Sequence, residues 1–76
     1  MTVEDALIKY YGGRPQYSGG QLYKIGEKQV QYSCGKIYKV GEDRIDFSCG
    51  KLYKVGGNTV RYSGNDIYEI GGIRIR

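Results

Sequence analysis

The residues best suited to chemistry are two cysteines, Cys34 and Cys49, which hold the same place in Tyr32-Ser33-Cys34-Gly35 and Phe47-Ser48-Cys49-Gly50. A thiol pair could form a redox couple or help to hold a metal ion. As matching loop residues two strands apart in one sheet, they would sit about 9–10 Å apart. That exceeds the Cα reach of roughly 7 Å for a disulfide without backbone movement. Two thiols also fall short of the four ligands of a structural zinc site. Gly19 and Gly64 occupy the equivalent positions elsewhere, so Cys34 and Cys49 are expected to fill turns.

Catalytic constellations are sparse. The chain has 0 His, which removes Ser-His and Cys-His pairs and the commonest general base. No GxxxxGK[ST] phosphate loop is present, and the glycines recur with the repeat as turn residues. Glu27, Glu42 and Asp43 fall in expected hairpin loops, where a carboxylate is usually solvated. A non-enzyme with no catalytic residue, no cofactor and no metal is the expectation.

Binding residues are easier to name. Lys24, Lys39, Arg44 and Lys54 are candidate anion ligands for nucleic-acid phosphate or an acidic protein surface. Leu22, Ile37, Leu52 and Ile67 are candidates for an apolar ridge that docks a partner. Both assignments depend on which faces the strands present.

Those strands come from an internal repeat. Residues 17–31, 32–46, 47–61 and 62–76 are four copies of a unit such as YSCGKIYKVGEDRID, preceded by a degenerate half-repeat at 14–16 and an N-terminal helix and linker at 1–13. Each unit holds two short segments of alternating apolar and polar residues separated by Gly-bearing turns, the signature of a β-hairpin. Gly26-Glu27 and its equivalents place glycine first in a two-residue loop, as a type II′ turn requires. This loop pairs Ile25 with Lys28 and Tyr23 with Val30. Ser33-Cys34-Gly35 suits a three-residue loop with glycine in the left-handed third position, which pairs Val30 with Tyr38.

On that register one face carries Pro15, Tyr23, Val30, Tyr38, Ile45, Tyr53, Val60, Tyr68 and Ile75. It is flanked by Tyr17, Tyr32, Phe47 and Tyr62 on one side and by Ile25, Val40, Val55 and Ile70 on the other. This is the expected core face. The opposite face holds the row Lys24, Gln29, Lys39, Arg44, Lys54, Thr59, Glu69, Arg74, with Lys39, Arg44 and Lys54 directly adjacent, and the apolar ridge beside it. Against nucleic acid, the aromatics then fall on the other face, whereas a stacking platform needs them among the cations.

Length and composition bound the rest. A chain of 76 residues is one domain that buries only about 60% of its unfolded surface. With Tyr 9, Phe 1 and Trp 0, most large apolar side chains carry a hydroxyl that needs a partner or water. Thr2 as N-cap, Glu4 and Asp5 in the first turn and Gly12-Gly13 as stop predict a helix over 3–11. Nine strands laid flat would span roughly 40 Å, whereas a helix is about 10–12 Å across. The helix cannot cover such a sheet, so the sheet must curl or bury its face against a second copy.

The expected fold is therefore mainly β: an antiparallel up-and-down meander of about nine short strands, curled into a roll or partly closed barrel, with a short N-terminal α-helix. The expected function is a small non-enzymatic binding or protein-interaction module, partnered by a second copy (a homodimer) or by another protein. The alternatives are anion or nucleic-acid binding through the basic face, or small-ligand binding in a Tyr-lined roll. In outline the tyrosine-bearing units are similar to sugar- or choline-binding repeat modules, but those units are longer and built on Trp; no family is assigned on that ground. No apolar run approaches a membrane span and no leader pattern opens the sequence, so a soluble, cytoplasmic, membrane-free protein is expected. The net charge of +4 is ordinary solubilising charge that also favours acidic partners.

Overall fold

The structure, a computed structural model, describes residues 2–75; Met1 and Arg76, the outer ends of the expected segments 1–13 and 62–76, lie outside the described residues. Helix α1 runs Val3–Tyr11. The Thr2 hydroxyl accepts from the Asp5 amide at 3.1 Å, and Gly12 closes the helix in the left-handed region at φ 72°. Nine strands follow: β1 Pro15–Ser18, β2 Gln21–Ile25, β3 Lys28–Ser33, β4 Lys36–Val40, β5 Asp43–Ser48, β6 Lys51–Val55, β7 Asn58–Ser63, β8 Asp66–Ile70 and β9 Ile73–Arg74. They form one antiparallel sheet in sequential order, β1 to β9, so the up-and-down meander is as expected and the sheet is not closed into a barrel.

The two kinds of turn differ in outcome. Gly26 has φ 61° at the first loop position, and Ile25 faces Lys28 as expected, but in Gly56-Gly57 and Gly71-Gly72 both residues have positive φ, so those two loops are not the expected type II′. At the other end of the hairpin the three-residue loop is replaced by a two-residue one. Ser33 faces Lys36, and Cys34 and Gly35 both have positive φ, 53° and 78°, as a type I′ turn requires. The residue thereby released from the loop is absorbed in β4: Tyr32 faces Ile37 but Gln31 faces Lys39, so Tyr38 is an unpaired bulge. The same bulge recurs at Tyr23, Tyr53 and Tyr68.

One bulge per hairpin reverses the inside-outside parity of half of each even strand. Ile37 and Val40, three residues apart, are both buried, and Tyr38 and Lys39 between them both face out. The expected core face is corrected accordingly. Val30, Ile45, Val60 and Ile75 are buried, but Tyr23, Tyr38 and Tyr53 are exposed, and Val30 faces Val40 rather than Tyr38. Leu22, Ile37, Leu52 and Ile67 fill the core in their place, at 2%, 4%, 0% and 3% exposure. The physical reason is the phenol. An aliphatic side chain is buried without leaving a polar atom unsatisfied, whereas a tyrosine in a small core needs a hydrogen-bond partner that a row of like residues does not supply.

The bulge also shapes the sheet. β3 pairs β4 at four positions, but β2 pairs β3 only at Lys24–Gln29 and Ile25–Lys28. Adjacent hairpins therefore join at the glycine-turn end and splay toward their Ser-Cys-Gly tips. Side chains bridge the splay: the Tyr62 hydroxyl donates to the Leu52 carbonyl at 2.7 Å, and the Lys36 and Lys51 ammonium groups each lie 5.5 Å from the ring centres of Phe47 and Tyr62. The molecule measures 31 × 25 × 22 Å, less than the flat span of roughly 40 Å, so the sheet is curled.

Helix α1 packs against the concave side. Ala6 and Leu7 are fully buried in the same apolar cluster as the sheet residues. At the joined end the Tyr11 hydroxyl donates to Asp43 Oδ2 at 2.9 Å and Asn58 Nδ2 donates to the Tyr10 hydroxyl at 3.0 Å. Burial first, and the Asp43 carboxylate second, push the Tyr11 hydroxyl well above its ordinary pKa. The helix enters the sheet through Gly13, where an added Cβ would lie 2.7 Å from the Gly26 amide nitrogen. The linker is jammed against the first hairpin rather than slack.

Candidate ligand-binding face

The convex outer face gathers the groups that the sequence separates. In each of the first three units a bulged tyrosine and the lysine after it both point outward: Tyr23 and Lys24, Tyr38 and Lys39, Tyr53 and Lys54. The three tyrosines are 42–43% exposed. Their hydroxyls are held in two units by glutamine, Tyr23 to Gln16 at 3.1 Å and Tyr38 to Gln31 at 2.9 Å. In the third, the Lys54 ammonium lies 5.9 Å from the Tyr53 ring centre, a cation–π distance.

Among the cations, Lys39 faces Arg44 directly across the β4–β5 ladder. Lys24 faces Gln16 and Gln29, and Lys54 faces Asp46 and Thr59. The expected run of three adjacent cations is thus cut to two, because the bulge moves Asp46 rather than Arg44 opposite Lys54. Asp46 also accepts from Arg44 Nε at 3.1 Å, but Arg44 stays 85% exposed, so this pair is worth no more than about 1 kcal/mol. In the fourth unit Glu69 replaces the lysine and lies 3.8 Å from Arg61 Nε.

The splay between β4 and β5 opens a cleft of about 490 Å³ lined by Tyr38, Lys39, Arg44, Ile45, Asp46 and Phe47. It combines an aromatic ring, two cations, an apolar wall and the Asp46 carboxylate that pairs with Arg44. A second cleft, of about 550 Å³, is lined by Tyr62, Ser63, Tyr68 and Arg74. Such clefts follow from short ladders alternating with long ones.

The other candidates fare differently. Leu22, Ile37, Leu52 and Ile67 are core residues and form no docking ridge, for the parity reason given above. A cavity ringed by Tyr23, Tyr38, Tyr53 and Tyr68 is not formed, since the first three lie on the outside. Cys34 and Cys49 are exposed free thiols in matching turns. Among the described residues no cluster of three or more His, Cys, Asp or Glu is placed to hold a metal ion, and no helix is long and apolar enough to cross a membrane.

Missed from sequence was the outward turn of Tyr23, Tyr38 and Tyr53. Two signals carried it: aliphatics spaced by three at Leu22/Ile25, Ile37/Val40 and Leu52/Val55, and the Gly19-Gly20 dipeptide, which suits a two-residue type I′ loop.

The arrangement defines an open, curled β-meander with a mixed aromatic and cationic outer face. Comparison with known proteins finds no matching family model, no similar curated protein and no similar solved structure.

Proposed function

We propose that this chain is a non-enzymatic binding module that takes anionic ligands on its outer sheet face, through Lys24, Lys39, Arg44 and Lys54. The observation that carries this reading is the cleft in which Lys39 and Arg44 stand side by side with Tyr38. Like charges directly opposite one another destabilise a sheet. An anion bound between them turns that cost into attraction. Docking of a protein or of a second copy on the Leu22-Ile37-Leu52-Ile67 row is not carried forward, because that row is internal.

The test compares inorganic polyphosphate binding to the native chain and to a Lys39→Gln/Arg44→Gln variant, at 50 and 200 mM salt. The native chain is expected to bind more tightly at the lower salt, since counterion release drives such contacts. The variant should unfold at the same or a higher temperature yet bind at least tenfold more weakly. Absence of polyphosphate binding at 50 mM salt, or equal binding by the variant, overturns the proposal.

A further inference from the structure

The outer face offers more than charge. A polyanion without rings would use the cations and leave Tyr23, Tyr38 and Tyr53 idle, yet each stands beside a lysine and shows nearly half of its surface. We infer that the ligand of this face is single-stranded nucleic acid, its unpaired bases stacking on Tyr23, Tyr38 and Tyr53 while its phosphates meet Lys24, Lys39, Arg44 and Lys54. The inference rests on the anion-binding reading of the same face and adds the ring.

Three observations select a single strand. First, the bulge places aromatic and cation as outward neighbours, the combination by which strand-binding surfaces hold both base and backbone. Second, matching tyrosines in neighbouring units are two strands apart, about 9–10 Å in a regular sheet and more where the hairpins splay. Stacked bases of a duplex rise only about 3.4 Å per step and hide their faces against one another. Only a strand with free, unstacked bases can present a face to each ring. Third, the β4–β5 cleft of about 490 Å³ puts a ring, an apolar wall and two cations within one opening, of which Lys39 is not paired with the Asp46 carboxylate that also lines it and holds Arg44. The glutamines that hold the Tyr23 and Tyr38 hydroxyls fix the rings without covering their exposed surface.

The test measures binding of a twelve-nucleotide oligothymidylate, an abasic strand of the same length and charge, and a duplex of the same length, all at 50 mM salt. The oligothymidylate should bind at least tenfold more tightly than either of the others. Tyr38→Ala should lose about tenfold toward it, whereas Tyr38→Phe should not, because the phenyl ring still stacks. In the native chain the tyrosine ring protons should shift upfield in NMR spectra on addition of the oligothymidylate, a readout that needs no variant. Equal binding of the abasic strand, or unmoved ring protons, overturns the nucleic-acid inference and leaves the anion reading standing. Failure of every strand and of polyphosphate to bind overturns both.

Discussion

Leu52 and Tyr53 are neighbours in the chain with opposite roles, and exchanging their weights tests the fold. Leu52 is fully buried, whereas Tyr53 is 43% exposed beside Lys54. Truncating a core leucine to alanine costs about 2–5 kcal/mol through lost burial and the cavity left behind. Leu52→Ala is therefore expected to lower the urea-derived stability by about 3 kcal/mol. Tyr53→Ala should stay within about 1 kcal/mol of the native value, as exposed positions do. A sheet with the tyrosines inward would reverse this order. At this scale the sequence was half legible. The odd-strand residues Val30, Ile45 and Val60 were assigned to the core correctly, because nothing interrupts alternation in those strands. In the even strands Ile25, Val40, Val55 and Ile70 are buried as expected, but the half before the bulge, Leu22-Tyr23 and its equivalents, is inverted, because period-2 alternation presumes one residue per pleat, and a bulge breaks that count without changing composition.

The bulge in turn is decided in the loop, which is an element-scale matter. Cys34-Gly35 could close as the left-handed end of a three-residue loop or as both corners of a two-residue one, and the glycine suits either. The two-residue loop obliges Cys34 and Cys49 to adopt φ of 53° and 51°, an unfavourable region for a side chain without a short polar group. It persists because the alternative register would bury phenols and expose Leu52 and Ile37. The strain is a local cost carried by a global gain. Asparagine tolerates the left-handed region and is favoured with glycine in type I′ turns. Cys34→Asn and Cys49→Asn should therefore each stabilise the chain by a few tenths to about 1 kcal/mol in thermal unfolding, and destabilisation by either would contradict the turn geometry. Gly13→Ala should act in the opposite sense. Its Cβ would meet the Gly26 backbone at 2.7–2.8 Å, where no flexible side chain can yield. A loss of about 1–3 kcal/mol is expected. The helix itself, with its Thr2 cap and its glycine stop, was readable because its signals are local and do not depend on how hairpins align.

For the whole molecule the issue is how an array of hairpins becomes one cooperative body. Repeat proteins usually gain stability from nearest neighbours alone, so that terminal units fray independently. Here the splayed hairpins share only short ladders at one end, and a second source of cohesion comes from α1. Tyr11 lies 5.6 Å from the Lys28 ammonium in the first unit and bonds Asp43 in the second, while Tyr10 accepts from Asn58 in the third. Leu7 enters the common core at 0% exposure. The helix therefore ties three units that do not otherwise all touch one another in the ladder. Leu7→Ala should then weaken every hairpin of residues 17–61 together. Native-state hydrogen exchange of the strand amides in that span should give one shared opening free energy, lowered in the variant by about 2–5 kcal/mol at all of them. If the amides of β4 and β5 kept their protection while those of α1 lost theirs, the sheet would be stable on its ladders alone and the helix only a cover. The basic outer face makes the shared outcome matter for binding. Rings and cations on three units act on one strand together only if the curvature that spaces them is held by a body that opens as a whole.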